Sequence, residues 1–256
     1  MTKRLLGIGD SFTDPDYKCK ITNTKIGKTW PVLLADSLDG DWSATNIGKG
    51  GAGNDWMVTA FFKNISLHGK PDLVCILWSK SSRLTMAAAD DYSHWTIDPI
   101  AINHSNKKKL RSPVPEYVNA FAKEYYCNHY HSGGYFKRMI DTYMTNVYII
   151  QQYCQSNNIP YAFGQAIDMI SHEFSDKVNL MRQIIDHPIE SMIDDKKFFG
   201  WPAYRELGGY TIADHINKNV EYAMHDEDRH PNELGHYFIS NKFLNVIKDS
   251  YNEITN

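Results

Sequence analysis

The 256-residue sequence is poor in several features that mark particular classes of protein. It has 4 cysteines, and no two are spaced as in a zinc ribbon or a thiol-redox motif, so we expect neither a disulfide framework nor a structural zinc site. The formal net charge is −3, which gives no general attraction to nucleic acid or to anionic membranes. No apolar run is long enough to span a bilayer, and the first residues lack the apolar core of a signal peptide. We therefore expect no nucleic-acid partner and no membrane span, with a cytoplasmic location by default.

Short apolar runs alternate with helical patterns along most of the chain. Four runs predict buried strands: residues 4–9, 42–47, 73–79 and 159–166. Three stretches with apolar residues three and four positions apart predict helices: residues 30–38, 136–154 and 233–247. Such alternation is typical of a parallel sheet covered by helices on both faces, with its site at the carboxyl ends of the strands. We therefore predict an α/β fold in one domain that spans residues 1–256.

Residues 84–134 interrupt this alternation with a segment longer than an ordinary connection. The segment contains a basic run at 107–111, typical of a solvated loop, and a predicted helix at about 116–126. His129 and His131 read as part of a polar loop rather than as metal ligands. Because the segment starts at the carboxyl end of a predicted strand, we predict that it borders the site and selects the substrate. The alternative is a peripheral addition to the domain.

The first motif with chemical potential is Gly9-Asp10-Ser11, at the end of the first predicted strand. A serine just beyond a buried strand can expose its hydroxyl at the edge of the sheet. Its backbone N–H can also face a developing oxyanion. The alternative is an ordinary turn in which Ser11 caps a helix.

The second motif is the glycine-rich run from Asn46 to Gly53, which follows the second predicted strand. Glycines in such a loop leave backbone N–H groups open to a ligand. Gly48, Gly50 and Gly53 also match the spacing of a dinucleotide-binding loop. That loop normally follows the first strand of its unit, whereas here a strand with its own serine motif comes first. We therefore expect no bound dinucleotide.

The third motif is the charged run from Asp226 to His230, followed by Pro231. An acid shortly before a histidine can hold the imidazole in one tautomer and stabilise its protonated form. The proline favours an extended backbone at the histidine. The alternative is a charged loop before the last helix.

In order and placement, the three motifs together resemble the GDSL/SGNH hydrolase family. The matching residues are Gly9-Asp10-Ser11, Asn46-x-Gly48-x-x-Gly51 and His230-Pro231-Asn232 with Gly235-His236. The resemblance covers both ends of the chain and the strand order, while the middle matches poorly. It implies a three-layer α/β/α sandwich of the flavodoxin-like type, hydrolysis of esters, and no metal or cofactor.

By this resemblance, Ser11 is the nucleophile, His230 is the base, and the N–H groups of Ser11 and Gly51 bind the oxyanion. The substrate is a small-molecule or carbohydrate ester, and a short acyl group on a carbohydrate is our first expectation. The sequence leaves the oligomeric state open. The rival hypothesis is a non-catalytic ligand-binding module on the same fold.

The sequence departs from the family at the third block, where an asparagine after the third strand normally donates to the oxyanion. Here that strand runs into Lys80-Ser81-Ser82-Arg83. Asn54 lies before the strand, so it is not the counterpart. Ser79, Ser81 and Arg83 are the alternatives for the missing donor, and we also expect Asp10, Ser79 and Arg83 to contact the substrate.

The second departure concerns the acid. The family usually places an aspartate three residues before the histidine, and that position here is Glu227. Asp228 stands two residues before His230, a spacing found in more distant relatives. We favour Asp228 because its shorter side chain matches the usual acid, with Glu227 as the alternative.

Overall fold

The structure is a computed structural model that describes residues 2–87, 94–97, 120–121, 124, 134–169 and 177–251, with side chains described outside 86–87 and 94–97. The basic run at 107–111, His129 and His131, and most of the helix predicted at 116–126 lie outside the described residues. Within the described residues, no helix combines the length and apolar character that crossing a membrane requires.

A five-stranded parallel sheet forms the centre of the fold. Its strands are β1 (Lys3–Gly9), β2 (Trp42–Asn46), β3 (Leu73–Trp78), β6 (Tyr161–Gln165) and β7 (Phe198–Phe199), in the order β2-β1-β3-β6-β7. Two antiparallel pairs lie outside it: β4 (Leu84–Ala87) with β5 (His94–Ile97), and β8 (Ala223–His225) with β9 (Asp228–Pro231). The predicted α/β class with a central parallel sheet is confirmed.

Besides four short 3-10 helices, the described residues form six α-helices: α1 (Trp30–Ser37), α2 (Asn54–His68), α3 (Gly134–Ser156), α4 (Lys177–Ile185), α5 (Ile212–Lys218) and α6 (Glu233–Ser250). The predicted strands and helices agree with these to within a few residues. The sequence patterns missed α2, α4, α5, the strand β7 and both hairpins, β4–β5 and β8–β9. Among these, α5 and the five strands are short, and short segments carry little periodicity.

The sheet separates two apolar cores, because successive side chains of a strand point to opposite faces. Leu6 and Ile8 of β1 pack in the core formed with α2 and α3, whereas Leu5 packs in the core formed with α1 and α6. In β3, all six residues are buried, so both faces of this strand are covered. The result is three layers, helix–sheet–helix, which makes the centre of the sheet a rigid support.

The strand order reverses direction between β1 and β3, and in open parallel sheets this point is where ligands bind. β2 and β3 lie on either side of β1, and all three run in the same direction. Ser11, Gly51 and Ser79 follow these three strands. The fold therefore brings the serine motif and the glycine-rich loop to one edge of the sheet.

Candidate active site

Ser11 lies in a tight turn that begins where β1 ends. The Thr13 amide donates to the Asp10 carbonyl at 2.9 Å, and the Phe12 amide donates to Asp10 Oδ1 at 3.0 Å. Gly9 is required here, because a Cβ at this position would lie 2.1 Å from Thr13 Oγ1. The turn leaves Ser11 8% exposed, with its hydroxyl in a groove at the sheet edge.

The histidine is supplied by the β8–β9 hairpin. Asp228 and His230 stand two residues apart in β9, which places their side chains on the same face. His230 Nε2 lies 2.8 Å from Ser11 Oγ, and His230 Nδ1 lies 2.6 Å from Asp228 Oδ1. The structure thus brings Ser11, His230 and Asp228 into one line of hydrogen bonds.

Asp228 is buried, and its carboxylate is well supplied with donors. The Lys20 amide donates to Oδ2 at 2.8 Å, and the Tyr17 hydroxyl lies 2.9 and 3.0 Å from the two oxygens. Burial by itself would raise the pKa of Asp228, but these hydrogen bonds and that of His230 lower it to about 2. Asp228 therefore carries a negative charge at neutral pH. Glu227 is exposed, and no hydrogen bond joins it to His230 within the described structure.

Tyr17 is a part of the site that sequence reasoning missed. Its ring stacks on His230 with centroids 4.0 Å apart, and its hydroxyl lies 2.7 Å from His230 Nδ1. The hydroxyl has one proton, so it can donate to the Asp228 carboxylate while its oxygen faces the Nδ1–H. Tyr17 is 213 residues away from His230 in sequence, and no motif around it marks its role.

The protonation state of His230 results from two opposing effects. Burial lowers the pKa of His230, while the hydrogen bond and the negative charge of Asp228 raise it; burial outweighs them. The imidazole is therefore neutral at neutral pH. Asp228 accepts from Nδ1, which leaves the lone pair of Nε2 directed at the Ser11 hydroxyl. This is the state that a general base requires.

The glycine-rich loop is held against the Ser11 turn by side chains. Asn46 donates to the Thr13 carbonyl at 2.8 Å, and the Gly50 amide donates to Asp14 Oδ2 at 2.8 Å. Gly51 has φ +77°, a left-handed conformation that favours glycine. Within the described residues, no group accepts a hydrogen bond from the amide of Gly51.

A second polar network lies on the β3 side of Ser11. Asp10 is fully buried, and its Oδ2 accepts from Ser79 Oγ and from Arg83 Nη1, both at 2.7 Å. Arg83 Nη1 also donates to the Ala52 carbonyl at 3.1 Å. Because Asp10 and Ser79 are both 0% exposed, the geometry favours positioning roles for them over the substrate contacts expected from the sequence. Arg83 does line the groove.

The groove over Ser11 is open and rich in charged side chains. It is lined by Ser11, Phe12, Lys20, Lys80, Arg83, Ile167, Ala213, Asn217, Glu227, Asp228, Arg229 and His230. Among the described residues, no group of three or more His, Cys, Asp or Glu side chains is arranged to hold a metal ion.

The fold of this chain is similar to that of two proteins of known structure, EstA and TesA. The psychrotrophic esterase EstA from Pseudoalteromonas sp. is 14% identical over 98% of this chain and 100% of its own, with a TM-score of 0.50. TesA is 11% identical over 96% and 99%, also with a TM-score of 0.50. A member of the lipolytic protein G-D-S-L family from Veillonella parvula DSM 2008 is 13% identical over 99% and 100%, with a TM-score of 0.45.

At these low sequence identities the similarity concerns the fold alone. We base it on EstA and TesA, whose TM-scores are the higher ones. The helix–sheet–helix arrangement is the fold that the resemblance in the sequence motifs implied. No protein-family model matches the chain, and a search of curated proteins finds no relative.

Proposed function

We propose that the protein is a serine hydrolase that cleaves esters. The observation that carries this proposal is the continuous line of contacts from Ser11 Oγ through the His230 imidazole to Asp228. A neutral imidazole within hydrogen-bond distance of a serine, oriented by a buried carboxylate, is the arrangement that activates a serine hydroxyl. The fold shared with the esterase EstA supports the same chemistry.

In the proposed reaction, Ser11 Oγ attacks the ester carbonyl carbon while its proton passes to His230 Nε2. The carbonyl oxygen becomes an oxyanion, which the N–H groups of Ser11 and Gly51 stabilise. The intermediate then expels the alcohol, which takes the proton from His230 and leaves an acyl group on Ser11. Water repeats the sequence, giving its proton to His230 and its oxygen to the acyl carbon, and Ser11 is released with its proton restored.

For the substrate, we propose a short acyl group on a carbohydrate or another small polar alcohol. The support is the open groove, whose lining offers Lys20, Arg83 and Asn217 to hydroxyl or anionic groups. We further propose that residues 84–134 form an insertion in a single domain and border this groove. The support is that the segment starts next to Arg83, which lines the groove.

Covalent labelling tests the catalytic proposal against the non-catalytic binding module. EstA was obtained inhibited by monoethylphosphonate, so a phosphonate that reacts with activated serines is a suitable probe. We expect the purified protein to gain one phosphonate, located on Ser11 by peptide mass spectrometry. Ser11→Ala is expected to abolish labelling, whereas the control Ser37→Ala, at an exposed serine of α1, leaves it unchanged. A folded wild-type protein that neither labels nor hydrolyses an activated ester would support the binding module instead.

Deleting residues 90–112 tests the role of the insertion. If the segment borders the groove, the deletion variant loses turnover of acetylated oligosaccharides and keeps much of the rate on p-nitrophenyl acetate. If a folded deletion variant keeps the wild-type rate on both substrates, the segment is peripheral.

A further inference from the structure

We infer that the Arg83 guanidinium is the third donor to the oxyanion, in the role that an asparagine has in the family. The inference rests on the proposed ester hydrolysis at Ser11. It concerns the groups that stabilise the negative oxygen when Ser11 attacks.

The first step is position. Arg83 Nη1 bonds Asp10, the residue before Ser11, and Ala52, the residue after Gly51. The guanidinium is therefore bonded to both segments that carry the proposed oxyanion amides. It also lines the groove that holds Ser11 and His230, and its side chain is 16% exposed.

The second step is the elimination of the two serines. Ser79 Oγ is fully buried and donates its one proton to Asp10 Oδ2 at 2.7 Å. Ser81 Oγ donates its proton to the Met169 carbonyl at 2.6 Å. Since a hydroxyl has a single proton to donate, neither serine has one left for an oxyanion.

Asn54 is occupied as well. Its side-chain oxygen accepts from the Ser79 amide at 2.9 Å, and its nitrogen donates to the Ser79 and Lys80 carbonyls at 3.1 and 3.3 Å. Asn54 therefore holds the turn after β3 rather than facing the substrate.

The third step is donor capacity. A guanidinium has five N–H groups, and the bonds of Arg83 to Asp10, Ser79 and Ala52 all come from Nη1. Within the described residues, Nε and Nη2 have no hydrogen-bond acceptor. Nη1 thus fixes the plane of the group while other N–H groups stay available, and preorganised donors of this kind stabilise charge that develops during a reaction.

A paired set of substrates distinguishes a donor to the oxyanion from a structural residue. In an oxoester the developing charge lies on oxygen, whereas in the matching thionoester it lies on sulfur, which accepts hydrogen bonds weakly. Loss of an oxyanion donor lowers kcat for p-nitrophenyl acetate and has less effect on O-(4-nitrophenyl) thionoacetate. Structural damage lowers both rates by the same factor.

We expect Arg83→Gln to lower kcat on the oxoester by roughly 10²–10³-fold, the usual cost of one donor, with a several-fold smaller loss on the thionoester. Arg83→Lys keeps a positive charge beside Asp10 and is the variant to use if the glutamine variant does not fold. We expect Arg83→Lys to lower kcat selectively on the oxoester as well, by a smaller factor than Arg83→Gln. Arg4→Gln is the matched control. Arg4 lies at the start of β1, donates to the Asn64 side chain and does not line the groove.

Equal losses on the two substrates, or no loss in either folded Arg83 variant, would overturn the inference. If the wild-type protein hydrolyses neither ester and Ser11 does not label, the proposed function itself has failed. The two failures are therefore distinguishable.

Discussion

Two buried aspartates belong to the candidate site around Ser11, and each one is paired with a different basic side chain. Asp228 faces His230, which is neutral until it takes a proton, whereas Asp10 faces Arg83, which is always charged. Both carboxylates are buried, and each accepts at least three hydrogen bonds. In the proposed reaction, the charge beside Asp228 appears only when His230 takes a proton, whereas the charge beside Asp10 is present throughout.

The difference also appears in how the two networks are assembled. The Asp10 network joins the ends of β1 and β3, neighbouring strands of the sheet, through Ser79 and Arg83. The Asp228 network joins the β8–β9 hairpin to the segment around Tyr17, neither of which belongs to the main sheet. We expect changes on the Asp228 side to act mainly on the rate, and changes on the Asp10 side to act on stability as well.

The largest effect on the rate is expected for Asp228→Asn. An amide in this position favours the wrong tautomer of His230 and cannot stabilise the imidazolium, which costs up to about 10⁴-fold in kcat in a serine triad. Steady-state kinetics on p-nitrophenyl acetate measures it, with thermal unfolding as a check on folding. A loss below about tenfold would show that Asp228 does not orient the base.

Asp10→Asn is expected to act first on stability. It leaves the Arg83 guanidinium, with only 16% of its side chain exposed, without a counter-charge, and breaking such a buried pair costs about 3–5 kcal/mol. Urea unfolding followed by tryptophan fluorescence measures this change. The control Asp36→Asn removes the partner of Lys28 in an exposed pair, where we expect little measurable change. If both variants unfold at the same urea concentration, Asp10 is not the anchor that the geometry indicates.

Tyr17→Phe is expected to change the pH dependence more than the maximal rate. The variant keeps the ring stacked on His230 but removes a donor from Asp228, so the pKa of Asp228 rises and the carboxylate binds the imidazolium more strongly. The pKa of His230 then rises too, and the acid limb of kcat/KM moves to higher pH. The maximal rate should fall by no more than about tenfold, since a typical hydrogen bond contributes about 1 kcal/mol net.

The pH profile of kcat/KM on an activated ester shows the shift directly. Tyr251→Phe serves as the control, since its hydroxyl bonds the Tyr161 backbone far from His230, and it should leave the acid limb in place.

A second consequence of the Tyr17→Phe change concerns folding. Because the pKa of Asp228 is lowered, its contribution to stability is present at neutral pH and is lost as the pH falls towards about 2. The Tyr17→Phe variant should therefore lose less stability than the wild type between mildly and strongly acidic pH.

The fold could be predicted from the sequence because β1, β3 and α3 carry long, regular apolar patterns. The residues of the candidate site could be named where a motif marks them, as at Ser11 and His230. Tyr17 and the Arg83–Asp10 pair could not be found in this way. They depend on contacts between segments distant in sequence, and a single sequence shows no pairing of such residues. The strand that holds His230 is too short for its alternation to be recognised.

The smallest effect on kcat is expected for Glu227→Gln. Glu227 stands at the position where the family usually has its aspartate, yet its side chain is exposed at the rim of the groove. An exposed carboxylate separated from the imidazole by solvent changes the local potential only slightly, and that influence is screened by salt. We expect kcat within about twofold of the wild type at moderate ionic strength, measured beside Asp228→Asn on the same ester. A loss at Glu227 larger than the loss at Asp228 would reverse the assignment of the acid, and would mean that the hairpin rearranges when substrate binds.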